Sequence, residues 1–139
     1  MVFAGGKPAL FAIMLFLRRD LKIRIAQAEY PAYHAMMDRL GIKNEVVPSN
    51  EKNGFKPANA DYIKEGRLAL FSNPGNPTGQ TKKGEELNDF VKRASKPGCG
   101  ALIDEAYELM YDTPVSSLEY IKNIDKTNIF VTGACTKGL

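Results

Sequence analysis

The sequence predicts an α/β fold in which helices cover both faces of a mostly parallel β-sheet, giving three layers in the order α/β/α. Short apolar runs alternate with longer stretches of helical patterning along the 139 residues, which is typical of successive βαβ units. The run Arg-Leu-Ala-Leu-Phe-Ser at residues 67–72 is apolar at successive positions, as in strands that are buried on both faces. The length fits one domain, and crossovers between parallel strands are expected to be right-handed.

Composition and charge exclude several classes of protein. Hydrophobic residues make up 44% and charged residues 25% of the chain, which excludes a disordered chain, a collagen-like fibre and a disulfide scaffold. The net charge of +3 is small and the basic residues are scattered, so no nucleic-acid partner is expected. Cys99, Cys135 and the single His34 have no zinc-site spacing, so no metal is expected. Free thiols favour a reducing compartment, which suggests the cytoplasm.

The longest apolar run, residues 9–17, is about half of the roughly 20 residues that a membrane-spanning helix needs. A signal peptide is the alternative. Gly5, Gly6, Lys7 and Pro8 precede the run, however, and no small-residue cleavage site follows it. We therefore predict a buried helix and no membrane partner.

The N-terminal half of the chain begins with a predicted strand end at residues 2–4 and a turn at Gly5 and Gly6. Pro8 suits the first turn of a helix, which is predicted to run to about Arg19. A second helix is predicted over residues 31–40, with Gly41 as its C-terminal cap. The remaining predictions are strands at residues 22–28 and 44–47 and a loop at residues 49–57.

The C-terminal half continues the alternation. Its predicted elements are a short helix at residues 59–65, a strand at 67–72, a turn cluster at 73–79, a helix at 82–94, a strand beginning at 101–103, a loop with a short helix at 114–121 and a strand at 127–132. The chain thus opens on the end of a predicted strand and closes just after another. We expect it to be a piece of a larger protein.

In open α/β sheets, ligands bind beyond the carboxyl ends of the strands, so the residues that follow each strand are the candidates for function. These segments are Gly5-Gly6-Lys7, Glu29-Tyr30-Pro31, Asn73 to Gly79, Asp104-Glu105-Ala106-Tyr107 and Thr136-Lys137. A glycine-rich turn at a helix N-terminus can bind phosphate through free N–H groups. Considered singly, each segment also has a structural explanation, such as a helix cap for Asp104 or a core position for Tyr30.

Taken in order, these segments resemble the fold type I pyridoxal-phosphate enzymes, and most closely the class I and II aminotransferases. The most specific elements are the Asn-Pro-Gly-Asn-Pro-Thr-Gly run at residues 73–79 and the Asp-Glu-Ala-Tyr run at 104–107, with Lys137 after the next strand. The resemblance covers essentially the whole chain. It implies that residues 1–139 form one incomplete large domain, from which an N-terminal segment and a small C-terminal domain are absent.

The resemblance implies pyridoxal 5'-phosphate as the cofactor and assigns the reacting groups. In that family a lysine forms a Schiff base with the cofactor aldehyde, and Lys137 stands at that place. This role needs a partly deprotonated amine. The family's aspartate keeps the pyridine nitrogen protonated so that the ring can accept electrons, and Asp104 matches it.

The other cofactor contacts follow from the same resemblance. A tyrosine and an asparagine hydrogen-bond the phenolic oxygen of the ring, and Tyr107 and Asn76 match them. An aromatic side chain stacks on the ring, and Tyr30 matches it. Backbone N–H groups of the first glycine turn hold the phosphate, and Gly6 and Lys7 match them.

The resemblance also implies substrates and an assembly. The lysine would move a proton between the substrate's α-carbon and C4′ of the cofactor, and an amino group would pass from an amino acid to a 2-keto acid. Family members are homodimers with active sites at the subunit interface. The arginine that binds the substrate carboxylate would lie beyond Leu139, so we expect this chain alone to be inactive or nearly so.

One departure from the family pattern concerns the phosphate. The family often has a hydroxyl residue three positions before the lysine, where this sequence has Ala134. Thr136 is the nearest hydroxyl and is the candidate replacement.

Three alternatives remain open at the level of sequence. Carbon–sulfur lyases, decarboxylases and synthases of fold type I share the same cofactor contacts. Some transcription regulators carry an aminotransferase-like domain that binds the cofactor as a sensor without turnover. A dinucleotide-binding module using Gly5-Gly6-Lys7 would lack the G-x-G-x-x-G pattern and would leave Asn76, Asp104 and Lys137 without a role.

Overall fold

A parallel five-stranded β-sheet forms the centre of the molecule, in the order β2-β1-β3-β4-β5. The computed structural model describes residues 1–18, 20–110 and 115–137, with the side chain of Thr136 excepted. The strands are β1 (Lys22–Ala26), β2 (Lys43–Val47), β3 (Arg67–Ser72), β4 (Cys99–Glu105) and β5 (Ile129–Gly133). Every neighbouring pair is parallel, which confirms the predicted sheet.

Four α-helices in the described part of the chain cover the sheet. They are α1 (Gly6–Leu17), α2 (Pro31–Leu40), α3 (Asn59–Tyr62) and α4 (Gly84–Ala94). Short 3-10 turns occupy Glu51–Asn53, Glu108–Met110, Ser117–Tyr120, Ile124–Lys126 and Cys135–Lys137. None of the described helices has the length and apolar character needed to cross a membrane.

Two apolar clusters, one on each face of the sheet, form the core. One cluster joins α1 and α2 to the sheet through Leu10, Met14, Tyr33 and Met37. The other joins α3 and α4 to the opposite face through Tyr62, Leu87, Phe90 and Val91. Burial of these side chains supplies the main driving force for packing the layers. The predicted three-layer arrangement is therefore confirmed.

The strand order changes direction at β1. Because β2 and β3 lie on opposite sides of β1, the chain moves outward from β1 to β2 and then returns past β1 to begin β3. A crevice at such a switch point, beyond the carboxyl ends of the strands, is the usual ligand site of an open α/β sheet. Tyr62 lies at this place, and its hydroxyl accepts a hydrogen bond from the N–H of Ala26 and donates one to the carbonyl of Leu70.

The structure corrects several predicted boundaries. The strand end predicted at residues 2–4 is wrong, because residues 1–3 have no regular structure and Val2 is 97% exposed, so strand pairing there would bury little apolar surface. The predicted helix at 59–65 ends at Tyr62, and the predicted helix at 82–94 begins at Gly84. The predicted loop at 49–57 contains a 3-10 turn.

The ends of three strands also differ from the predictions. β1 ends at Ala26 instead of residue 28, β4 extends beyond 101–103 in both directions, and β5 is shifted to Ile129–Gly133. The first helix ends at Leu17. Its predicted end at Arg19 and the predicted loop start at Pro114 lie outside the described residues.

Candidate active site at the carboxyl edge of the sheet

Asp104 lies near the carboxyl end of β4 and is 8% exposed. Its Oδ2 accepts a hydrogen bond from the hydroxyl of Tyr33 at 2.7 Å, and its Oδ1 accepts one from the N–H of Ala106 at 3.0 Å. Burial raises the pKa of the Asp104 carboxyl, while these two hydrogen bonds oppose the rise. The two donors fix the plane of the carboxylate.

The Asp104 carboxylate lies against the first turn of α1. A Cβ at position 6 would lie 4.0 Å from Oδ1 of Asp104 and 3.9 Å from Cβ of Ala134, so Gly6 lies close to both residues. Within the described residues, no lysine or arginine forms an ion pair with Asp104. A buried carboxylate without a cation is unfavourable, so this group is suited to a ligand that brings a positive N–H.

The N-terminus of α1 is built to leave backbone donors available. Gly5 precedes the helix with φ 115 and ψ 172, a conformation that is restricted to glycine, and no side chain caps the helix. The first N–H groups of an uncapped helix can bind an anion, and the helix dipole favours one there.

Tyr30 connects the starts of α1 and α2. It precedes Pro31 as the N-cap residue of α2 and is half-buried. Its ring meets the Tyr33 ring edge-on with centroids 5.5 Å apart, and Nζ of Lys7 lies 5.3 Å from the Tyr30 centroid. Contact with the Tyr30 side chain raises the pKa of the Lys7 amine. Lys7, Tyr30, Tyr33 and Asp104 thus form a continuous series of contacts.

Lys137 and Tyr107 meet at the end of the sheet nearest β5. Lys137 lies in the 3-10 turn that follows β5, and its Nζ is 5.6 Å from the centroid of the Tyr107 ring. This distance is within the range of a cation–π contact. Lys137 is exposed and Tyr107 is half-buried. The side chain of Thr136, the candidate replacement for the missing hydroxyl, lies outside the described residues.

Asn76 belongs to a rigid turn after β3. The amide of Asn73 bonds both the carbonyl and the N–H of Lys82, at 3.0 and 2.8 Å, and closes the turn. The N–H of Asn76 donates to Oγ of Ser72 at 2.9 Å, and the Asn76 side chain is half-buried. A Cβ at Gly75 would lie 2.7 Å from Oγ1 of Thr78 and 3.1 Å from the carbonyl oxygen of Gln80, so a larger residue here would push these neighbours aside. Both Asn-Pro peptide bonds of the turn are cis.

The sequence-predicted residues lie on segments that follow the strands or begin α1, all at this edge of the sheet. The amine of Lys7 lies over the ring of Tyr30, and the amine of Lys137 lies over the ring of Tyr107. Gly6 lies near the Asp104 carboxylate. Asn76 is instead connected through its backbone to Ser72. Three buried contributors were not predicted as site residues: Tyr33, Glu29 and Ser72. Tyr33 could have been found, because a residue three positions after Tyr30 in a helix shares its face.

The family model for aminotransferase class I and II matches residues 1–139. The chain belongs to this family. The cofactor of the class I and II aminotransferases is pyridoxal 5'-phosphate, as the sequence resemblance implied.

Individual relatives agree with the family match. YugH of Bacillus subtilis, whose name assigns it provisionally to the aminotransferases, is 28% identical over 138 residues, which are 95% of this chain and 36% of YugH. The crystal structure of aminotransferase AspB from Helicobacter pylori superposes with a TM-score of 0.75 and 26% identity, covering 96% of this chain and 38% of AspB.

A structure of another reaction class shares the fold. The pyridoxal-phosphate-bound carbon–sulfur lyase from Staphylococcus hominis has a TM-score of 0.79 at 20% identity, covering 99% of this chain and 39% of the lyase. The chain thus spans less than two fifths of the length of each of these three proteins.

The residues at the carboxyl edge of the sheet fit pyridoxal 5'-phosphate, the cofactor of the family. The buried Asp104 carboxylate needs a positive partner, as a protonated pyridine nitrogen would provide, and the N-terminus of α1 provides donors for a phosphate. Thr132, which pairs with Asp104 in the register of β4 and β5, carries a buried hydroxyl that interacts with the same carboxylate and lowers its pKa.

Proposed function

We propose that the protein is a pyridoxal-phosphate-dependent aminotransferase that moves an amino group from an amino acid to a 2-keto acid. The observation that carries the proposal is the buried, doubly hydrogen-bonded Asp104 without an ion-pair partner in the described part of the chain. Family membership supports the same conclusion.

Asp104 would bind the pyridine N–H of the cofactor. When bound, pyridoxal phosphate supplies a cationic ring that draws electrons from the substrate's α-carbon. Because Asp104 is buried, its attraction for a positive N–H is screened less than it would be in water. Tyr33 and the N–H of Ala106 would keep the carboxylate oriented toward that nitrogen.

Lys137 would attach the cofactor through its amine and move a proton at the substrate's α-carbon. The position of Lys137 in a short turn after β5 allows its Nζ to reach the same edge as Asp104. Tyr107 would limit the positions of that amine through the ring contact at 5.6 Å. Asn76 and Tyr107 would hydrogen-bond the phenolic oxygen of the ring, and Tyr30 would stack on its face.

The N–H groups of Gly6 and Lys7 would bind the phosphate at the start of α1. Ala134 cannot contribute a hydroxyl, so the helix N-terminus would supply a larger share of the binding than in relatives that have one. Thr136 is the proposed second contributor.

Residues 1–139 would form part of the large domain, and the segments that complete the domain and bind the substrate's carboxylate would lie elsewhere in the whole protein. The length of the relatives, which are more than twice as long as the chain, supports this proposal. A homodimer with the active site at the subunit interface is proposed from the family resemblance, as is a cytoplasmic location.

Half-reactions on the purified whole protein, which includes the segments that complete the domain, test the reaction type after loading with cofactor. Amino acids are added one at a time without a keto acid, and the absorbance and products are followed. An aminotransferase yields one equivalent of the corresponding 2-keto acid and leaves the amino group on the cofactor. Continuous release of ammonia with pyruvate from cysteine-like substrates would instead identify a lyase and overturn the proposal.

A further inference from the structure

Glu29 is a buried carboxylate in the loop between β1 and α2, next to Tyr30. It is 9% exposed, and both of its oxygens accept hydrogen bonds from Ser72. Oε2 accepts from the Ser72 hydroxyl at 2.7 Å, and Oε1 accepts from the Ser72 N–H at 3.3 Å. No lysine or arginine of the described ranges is ion-paired with it. Burying a carboxylate without a cation costs free energy, so a compensating role is expected for Glu29.

Ser72 is also hydrogen-bonded to the turn that carries Asn76. Ser72 is the last residue of β3, and its Oγ accepts the N–H of Asn76 at 2.9 Å while donating to Glu29. Each partner in the series Glu29–Ser72–Asn76 is therefore held by one well-formed hydrogen bond to the next. The turn cannot shift relative to Glu29 without breaking one of these bonds.

The backbone pairing of β1 with β3 ends before it reaches these two loops. The register of β1 with β3 ends at Ile25 and Leu70. The Tyr62 hydroxyl then occupies the next backbone groups, the N–H of Ala26 and the carbonyl of Leu70. Beyond that point, the contact of Glu29 with Ser72 joins the segment before Tyr30 to the segment before Asn76.

We propose that Glu29 is a positioning residue for the cofactor: its carboxylate fixes the turn that carries Asn76 relative to the loop that carries Tyr30. The part of this inference that concerns the cofactor rests on the proposed function, whereas the link between the loops does not. With the link formed, Asn76 and Tyr30 would contact the cofactor ring from fixed positions. Binding of the cofactor would then cost little conformational entropy in these two loops.

Ionisation of Glu29 adds a pH dependence to the link. Burial raises the pKa of Glu29 to about 7, and the Asp104 carboxylate acts in the same direction, while the hydrogen bonds from Ser72 oppose both. The other titratable groups around Glu29 are Tyr33 and Tyr62 on the packed helices and Lys56 and Lys82 across a small cavity. The ionised carboxylate accepts both bonds from Ser72, and protonation removes one acceptor.

The first test measures the link without cofactor. Backbone amide resonances of Ser72 and Asn76 are followed by NMR against pH in the wild-type chain, in Glu29→Gln, in Ser72→Ala and in Glu85→Gln, an exposed acid on α4 that serves as the control. In the wild type and the control, both amides should titrate together with a midpoint near pH 7. Glu29→Gln should abolish the titration, and Ser72→Ala should abolish it at Asn76.

The second test measures cofactor binding by absorbance over the same pH range. Glu29→Gln should bind pyridoxal phosphate about fivefold more weakly above about pH 8, the loss expected for one net hydrogen bond, and should approach the wild type below about pH 6. The double variant that also carries Ser72→Ala should bind pyridoxal phosphate no more weakly than whichever single variant has the lower affinity, because both changes break the same link.

The outcomes separate this inference from the proposed function. If the amide chemical shift of Asn76 changes neither with pH nor in Glu29→Gln, the proposed link is refuted. Equal affinities of Glu29→Gln and wild type for pyridoxal phosphate, in proteins that circular dichroism shows to be folded, also refute it. A wild type that shows the amide titration but binds no cofactor leaves the link established and refutes the proposed function. If Glu29→Gln does not fold, the pH titration of the wild type and its loss at Asn76 in Ser72→Ala still decide whether the link exists.

Discussion

At the scale of single residues, the orientation of the Asp104 carboxylate depends on the hydroxyl of Tyr33. Asp104 and Tyr33 are 71 residues apart in the sequence, yet their side chains form a buried hydrogen bond of 2.7 Å. A buried acceptor that loses its donor keeps its desolvation cost without compensation. The Tyr33 hydroxyl therefore helps to orient the Asp104 carboxylate of the candidate site.

Replacing Tyr33 by phenylalanine tests this dependence. The ring remains packed in the core, but Oδ2 of Asp104 loses its donor, so the pKa of Asp104 should rise further. Affinity for pyridoxal phosphate should fall by about 5- to 30-fold, which corresponds to about 1–2 kcal/mol for an unsatisfied buried acceptor. An absorbance titration gives the affinity. Tyr120→Phe, a half-buried tyrosine on the α4 face, is the control; equal losses in the two variants would contradict the assigned role.

The raised pKa of Glu29 also predicts how stability depends on pH. Because the pKa is about 7 in the folded state and near its usual 4.5 when unfolded, the folded state binds more protons between these values. Stability from this group is therefore present below pH 4.5 and is lost as the pH rises toward 7. The loss is about 3 kcal/mol.

Urea unfolding of the wild type and of Glu29→Gln at a series of pH values measures this loss. The free energy of unfolding of the wild type should fall relative to that of the variant by about 3 kcal/mol from acid to neutral pH. A difference that stays constant with pH would show that Glu29 titrates normally.

At the scale of elements, local signals explain which boundaries were predictable. Helix α2 begins at Pro31 and ends before Gly41 as predicted, because proline suits the first turn and Gly41 adopts φ 66 in the C-terminal cap. Strand β4 was predicted too short. Its polar end at Asp104 and Glu105 is buried, and the backbone there is paired with β3 and β5 or with the next segments. Glu105 accepts hydrogen bonds from Ser116 and Ser117, partners that no local pattern reveals.

The start of α1 can be tested as an element. Gly5→Ala forces a side chain into φ 115 and should disturb the first helical turn. Gly41→Ala places the same strain at φ 66, away from the candidate site. Both variants should lose about 1–2 kcal/mol of stability, measured by urea unfolding.

The affinity for pyridoxal phosphate should separate these two variants. Gly5→Ala should bind about tenfold more weakly or worse, because the donors of the α1 N-terminus are displaced, whereas Gly41→Ala should bind as the wild type. Comparable losses of affinity in both variants would mean that α1 makes no specific contact with the phosphate.

For the whole molecule, the sequence was sufficient to predict the architecture and the edge of the sheet at which the candidate residues lie. Alternating elements predicted the parallel sheet, and the carboxyl-edge rule placed Asp104, Tyr107 and Lys137 at one edge. The contacts that orient the site were not predictable, because they join distant parts of the chain. Glu29 and Ser72 are 43 residues apart, and only the packing of β1 beside β3 brings them together.

The most direct test of the central claim, that this edge binds pyridoxal phosphate through Lys137, is borohydride reduction of the loaded protein followed by peptide mass mapping. Lys137→Ala and Lys122→Ala, an exposed lysine outside the site, are treated in parallel. The account predicts a saturable visible band and a reduced adduct on Lys137, both lost in Lys137→Ala and retained in Lys122→Ala. A folded protein in which the adduct is absent, or is scattered over other lysines and unaffected by Lys137→Ala, would contradict it.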